Sequence, residues 1–340
     1  MKLRDIVLES LHHHSVPQVP YTLYFEDDTD LRLDEYYGST TWRQRLVPYI
    51  VGVQAVDTDP HTVIDDVRKR DAYGGIWRFD RRPWHLEKPA LDKPSFEGYA
   101  FPTPENFKRP GLVEQAHQRI AENPDSFILG NLGWGLFERS WIMRGFENFM
   151  EDVTQNPDFV EESLDRMTDL YLQLVDLTCE LPVDGILFGD DWGEQRGIIL
   201  GPKRWRQLLK PRWAKIYARV HQHGRIVLHH SCGSVADIMP DIIEIGMDVL
   251  ESAQPEAAGM NPYELKKKWG DKISFWGCLG SQSIIPFGTP EQLKAEVRRL
   301  RKEMSVNGGY ILSPAKPLQL ETPLENAVAM LDVFTEDYTL

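Results

Sequence analysis

Cysteine is scarce in this chain of 340 residues, which has three: Cys179, Cys232 and Cys278. A small, odd number in a chain this long argues against a disulfide framework, so they are read as free thiols open to a metal or to chemistry. No apolar run approaches the length of a membrane span. The opening Met1-Lys2-Leu3-Arg4-Asp5 lacks the apolar core of a signal peptide. Both absences predict a cytoplasmic protein. Positive charge is also short, with 38 Lys and Arg against 52 Asp and Glu and a net charge of −14. That balance speaks against nucleic acid and anionic membranes as partners. It leaves room for a local basic pocket that takes an acidic ligand. There is no internal repeat and no low-complexity tract. The histidines His12, His13 and His14 sit just before Pro17 and are read as an ordinary solvated segment.

Apolar residues make up 41% of the chain, enough for a large core. Short apolar runs alternate with amphipathic helical patterns. Eight candidate strands are Pro20–Phe25, Tyr73–Phe79, Phe127–Leu132, Gly185–Asp190, Ile226–His230, Met247–Glu251, Ile273–Gly277 and Gly309–Ser313. The later ones are rich in Ile, Val and Leu, as suits strands buried on both faces of a parallel sheet. Helix starts are marked by Thr289-Pro290-Glu291-Gln292, Thr322-Pro323-Leu324-Glu325 and Asn261-Pro262-Tyr263-Glu264. Leu293, Val297 and Leu300 share one helix face, as do Trp213, Ile216, Tyr217 and Val220. This alternation predicts an α/β fold: a (β/α)₈ TIM barrel spanning residues 1–340 as a single domain, with extra N-terminal helices and long loops. An open doubly wound sheet would usually carry a G-x-G-x-x-G turn, and none of these loops reads so. Residues 26–72 and 80–126 are expected to hold extra helices and a loop over the mouth, with 83–110 as extended surface chain.

In a barrel, residues just past a strand's carboxyl end face the active site. The candidates are therefore Glu26 and Asp27, then Asn131 and Trp134, then Asp190, Asp191 and Trp192. After strand 5 come His230, Ser231 and Cys232, followed by Gln254, Cys278, Gln282, Lys316 and Gln319. His230 and Cys232, two apart in extended chain, face the same way and could share a soft cation such as zinc. The alternative is a buried His bonded to backbone and a packed thiol. His229 is expected to pack behind the strand. Asp190 and Asp191 could bind metal, act as general acid or base, or cap a helix. Cys278 is a candidate further thiolate, or simply a small buried residue. Lys316 could bind a carboxylate. Trp134, Trp192 and Trp276 could wall a ligand.

The stretches DGILFGDDWGEQRG, LHHSCGS, IGMDVLESAQPEAAGM, FWGCLGSQSIIPFGTPEQLKAEV and GGYILSPAKPLQLETPLENAVAM resemble the uroporphyrinogen decarboxylase superfamily. The resemblance implies a (β/α)₈ barrel and one of two activities. The decarboxylases remove carboxyl groups from a tetrapyrrole without a cofactor, gripping it with an arginine-rich R-Q-A-G-R motif. Here Trp42-Arg43-Gln44-Arg45-Leu46 lacks the A-G-R part. The methyltransferases move a methyl group between a small molecule and a corrinoid held by a partner protein, with zinc as Lewis acid. In the thiol-methylating members a His-x-Cys pair and a later Cys bind zinc. The matching later position here is Lys316, which departs from that pattern, and a protonated Lys cannot bind zinc. Asp190, Asp191, Glu251, Gln254 or Cys278 could complete the site. The reading is a corrinoid-dependent methyltransferase component with catalytic Asp190, Asp191 and Lys316 and metal ligands His230, Cys232 and Cys278. Asn131, Trp134, Trp192, Gln254, Gln282 and Gln319 are the substrate-binding candidates. The competing readings are a cofactor-free decarboxylase using Lys316, Arg196 or Arg78, and a non-catalytic ligand-binding barrel.

Overall fold

In a computed structural model, residues 1–81 and 83–337 are described, apart from the side chain of Asp27. Seven parallel strands pair in simple sequence order: β1 (Ile50–Val53), β2 (Phe127–Trp134), β3 (Gly185–Gly189), β4 (Ile226–His230), β5 (Val249–Ser252), β6 (Ser274–Leu279) and β7 (Tyr310–Pro314). Residues 20–25 take the eighth position beside β7, through parallel bridges from Tyr21 to Leu312 and from Phe25 to Leu318. Thr22 N donates to Leu312 O at 2.9 Å and Leu312 N to Pro20 O at 2.9 Å. Across the seam to β1, side chains take over. The Tyr21 hydroxyl accepts from Val47 N at 2.9 Å, and its ring meets Tyr49 edge-on at 5.3 Å.

The expected second strand is a correction. Tyr73–Phe79 does not enter the barrel, and Ile50–Val53 takes that place. Ile76–Arg78 instead belongs to a four-stranded antiparallel sheet with His61–Val63, Arg68–Asp71 and His85–Lys88. Its burial explains the difference. Tyr73 and Trp77 are buried while Gly74, Ile76 and Arg78 are partly open, as in a sheet that covers one side only. The expected helices in 26–72 reduce to Asp27–Tyr37 and a 3₁₀ turn at Thr41–Arg45. The stretch 83–110 is largely irregular, but contributes the strand His85–Lys88 and a short turn at Pro104–Phe107.

The outer helices form where the periodicity places them. Thr289 caps Pro290–Met304 with a capping box: Thr289 N donates to Gln292 Oε1 at 2.9 Å, and Gln292 N donates to Thr289 Oγ1 at 3.3 Å. Leu293, Val297 and Leu300 on that helix are fully buried. Asn261 caps Pro262–Trp269 in the same spirit, accepting from Tyr263 N and Glu264 N. Thr322 does not act as a cap, since the last helix starts at Leu324 with Pro323 before it. Trp213, Ile216, Tyr217 and Val220 bury one face of Lys210–Gln222 against the sheet.

Register fixes what faces the barrel interior. Asn131 lies opposite Leu187, and Leu187 opposite Leu228. One layer nearer the mouth, Gly189, His230, Glu251 and Trp276 are successive cross-strand partners. His230 and Glu251 therefore leave adjacent strands on the same face.

Candidate functional site

Asp191, His230 and Cys232 bring one oxygen, one nitrogen and one sulfur donor within 4.8 Å of one another. Cys232 Sγ lies 3.3 Å from His230 Nε2, and Asp191 Oδ1 lies 3.4 Å from the same nitrogen. The other ring nitrogen, Nδ1, is bound by the Glu251 carboxylate. Glu251 thus fixes the imidazole plane and turns Nε2 toward the sulfur and Asp191. Burial opposes charge on His230, but Glu251, Asp191 and the thiol outweigh it and hold its pKa well above the usual value. Burial also works against Asp191, yet its contact with His230 keeps it below the ordinary carboxylate range.

Two loops carry these groups, and backbone contacts hold them together. Cys232 N donates to Asp191 Oδ1 at 2.7 Å, and Trp192 N donates to Ser231 Oγ at 3.0 Å. Gly193 and Gly233 abut. A Cβ on Gly193 would sit 2.7 Å from the Cys232 carbonyl oxygen, and one on Gly233 would sit 2.6 Å from the Gly193 carbonyl carbon. Gly233 also has φ +73, a conformation side chains resist. Gln254 supports the second loop by accepting from Gly233 N at 3.2 Å, and its buried Nε2 has no protein partner.

The two aspartates that sequence left equivalent separate sharply. Asp190 is fully buried and does not belong to the donor cluster. Its carboxylate accepts from Phe137 N at 3.1 Å and Glu138 N at 2.9 Å, the free first-turn amides of the helix Leu136–Arg144. It also accepts from the indoles of Trp192 at 2.8 Å and Trp213 at 3.2 Å. Burial pushes its pKa up to about 6 against these bonds. Asp190 is therefore engaged in the barrel wall, apart from the donor cluster. Trp192 belongs to the same wall. It is buried, stacks on His229 at 4.3 Å, and meets Trp205 and Trp213 edge-on. His229 packs outside the barrel wall as expected, 2.8 Å from the Tyr217 hydroxyl.

Cys278 does not join the donors, a further correction. It is buried, its backbone adopts φ 74, and its electrostatic neighbours are Lys266 and Tyr310. Burial pushes its thiol pKa far up, so it stays protonated. Lys316 does reach the site. It lines a cavity of about 210 Å³ together with His230, Glu251, Tyr24 and Trp276. Trp276 is tied across the interior by its indole, which donates to Thr22 Oγ1 at 2.9 Å.

The remaining candidates lie further out. Trp134 is half exposed and edge-on to Trp77 at 5.8 Å. Asn131 faces inward, its side-chain oxygen accepting from Gly133 N at 2.8 Å. Gln282 pairs with Gln195 at 3.3 Å, and Gln319 with Glu26 at 3.0 Å, both at the exposed rim. The side chain of Asp27 lies outside the described residues. Glu138 was missed by sequence. It accepts from Asp191 N, and burial with the nearby charges of Asp190 and Asp191 pushes its pKa up to about 8. Its signal was its place four residues beyond Trp134, in the first turn of the next helix.

A parallel α/β barrel with sulfur, nitrogen and oxygen donors gathered at its strands' carboxyl ends defines a class: TIM-barrel proteins with a side-chain cluster at the mouth that could hold a metal ion. Residues 81–336 match the sequence profile of the family described as Uroporphyrinogen decarboxylase (URO-D), and the chain belongs to that family. A solved structure described as a methyltransferase from Methanosarcina mazei superposes with TM-score 0.71 at 20% identity, covering 98% of each chain, and shares the fold. A 3-keto-D-glucoside 4-epimerase from E. coli gives TM-score 0.40 at 14% identity, over 64% of this chain and 83% of that one. No curated protein sequence matches the chain. Among the described residues no helix is long and apolar enough to cross a membrane.

Proposed function

We propose that this protein is a methyltransferase component that moves a methyl group between a small molecule and a corrinoid carried by a partner protein. Zinc is the metal its donor set suits. The observation that carries the reading is the convergence of Asp191, His230 and Cys232, with the second nitrogen of His230 already engaged by Glu251. Three mixed protein donors leave a coordination position free, as catalytic zinc requires. Asp191 then stands where thiol-methylating relatives use a later cysteine, and Lys316 is released from that role. The fold shared with a methanogen methyltransferase supports the same direction.

Held by these three residues, zinc would act as Lewis acid on a substrate heteroatom. The protein's own groups do the rest. Glu251 keeps the Nε2 lone pair of His230 aimed at the site. Lys316 binds an anionic end of the substrate at the cavity rim, and Tyr24 and Trp276 exclude water from the reacting side. Asn131 and Trp134 supply further substrate contacts, with Gln282 and Gln319 at the rim. A polycarboxylate tetrapyrrole is a poorer fit. Among the described residues Lys316 is the one cation lining the His230 cavity. Arg196 is 90% exposed beside Glu194, and Arg78 is bound to Asp80, so neither serves it.

The test is elemental mass spectrometry on protein purified without chelator or histidine tag, for wild type, Cys232→Ser and Asp191→Asn. Near-stoichiometric zinc in wild type that falls in both variants is expected, with zinc-loaded wild type transferring the methyl of methylcobalamin to an added thiol or amine and leaving cob(I)alamin. Protein that stays metal-free after zinc is added would overturn the reading.

A further inference from the structure

At the opposite end of the barrel lies a second cavity, of about 970 Å³. Its walls are the last turn of the helix Pro262–Trp269, the turn leading into β6, the end of the helix Pro290–Met304, the turn leading into β7, and His13. Outer helices run against the strands, so their carboxyl ends gather at the strands' amino ends, away from His230. Five lysines line it: Lys266, Lys267, Lys268, Lys272 and Lys302. This concentration stands out in a chain of net charge −14.

Helix ends explain part of it, since cations there offset the free carbonyls. Lys266 does this, its Nζ donating to Gly308 O at 2.5 Å. The other four have no carboxylate partner among the described residues. Lys268 and Lys272 lie over the Trp269 ring at 5.0 and 5.6 Å. Of the two acidic residues in the lining, Glu303 is already bound to Arg299 at 2.9 Å, which leaves Asp271. His13 shares the lining, and burial together with the Lys266 charge holds its imidazole below the ordinary value. Burial, with no carboxylate near enough to offset it, holds Lys266 down to about 8. A bound anion would offset these lysine charges.

We infer that this cavity is a binding site for a small polyanion of the phosphate-chain class, separate from the site at the mouth. The choice of a phosphate chain rests on how the charge is spread. Arginine's planar fork pairs bidentately with a single carboxylate or phosphate, whereas a row of lysines is a set of separate point charges that suits an anion with several charged groups along its length. Among the described residues no arginine lines this cavity.

The experiment is calorimetric titration of inorganic tripolyphosphate into the purified full chain, at low salt and at about 0.15 M, where surface attraction is screened beyond ~8 Å. Sodium sulfate at matched ionic strength serves as reference. Saturable binding that exceeds sulfate's is expected, weakened about tenfold or more in Lys267→Gln/Lys302→Gln, as two lost charge-assisted contacts imply. Both lysines are exposed, so the variant folds, and Lys203→Gln/Lys215→Gln on other helices should bind as wild type does. ATP that binds as tightly as tripolyphosphate would mark a nucleotide site, and much weaker ATP binding a site for the free phosphate chain. No saturable binding, or equal weakening in both double variants, would overturn the inference.

Discussion

Asp190 and Asp191 are neighbours in sequence with opposite expected roles, and alanine at each should separate them. The Asp190 carboxylate accepts four hydrogen bonds from buried donors. At about 1–3 kcal/mol per orphaned buried donor, the gross loss in Asp190→Ala is about 4–12 kcal/mol. Relief of the buried charge and entry of a water into the vacated space offset part of this. The net cost should be about 3–5 kcal/mol, the range for breaking a buried charged network. For a chain of this length the unfolding entropy is about 0.7 kcal/mol/K, so Tm should fall by about 4–7 °C. Asp191→Ala loses a bond from Cys232 N at a half-exposed site, so metal-free protein should lose only about 1 kcal/mol. Urea and thermal unfolding of chelator-treated protein measure both. Equal destabilisation by the two variants, or a loss under about 1 kcal/mol in Asp190→Ala, would refute the division of labour.

Two further outcomes follow from side chains outside the three-residue donor set. Glu251→Gln keeps the shape but weakens the hold on His230, so zinc affinity should drop about 10–100-fold in a competition titration while the fold survives. Lys266 gives a signature in pH. Below about 8 it is protonated in both folded and unfolded protein, and the burial penalty is present in full. Above that, the folded protein releases the proton while the unfolded chain holds it up to about 10.5, so stability relative to Lys266→Met should rise across that window. A difference that stays flat with pH would count against the depressed value.

Much of this was readable in the residues, and the failures have physical causes. Seven of the eight strand positions follow from short β-rich runs between capped helices. The exception came from Gly52, an exposed glycine that interrupts the short apolar run Ile50–Val53 and weakens its strand signal. The run Tyr73–Phe79 is the stronger β signal by composition, but it belongs to a sheet with one covered face. At the site, spacing placed His230 and Cys232 on one side of a strand. It could not show that Asp190 turns back to cap a helix while Asp191 turns forward, since adjacent residues leave a strand end in opposite directions. Nor could it show Cys278 turning away, which depends on a left-handed backbone at that residue. Glu251 was visible as a strand-end carboxylate, but its role as the His230 anchor required the register between two strands.

The abutment of Gly193 and Gly233 sets the spacing of the donor set by main chain touching main chain. That close approach, with Ser234 N donating to Glu194 O at 2.8 Å and Trp192 N to Ser231 Oγ at 3.0 Å, keeps the two loops from moving as independent flaps. An arriving ion meets a nest already shaped, so capture should be fast and should leave the tumbling protein's size and secondary structure unchanged. It also frees the barrel to vary its third donor. Because the loops are also joined by main chain and by Ser231, a carboxylate from the neighbouring strand could take the place of a distant thiolate without rebuilding the wall around it.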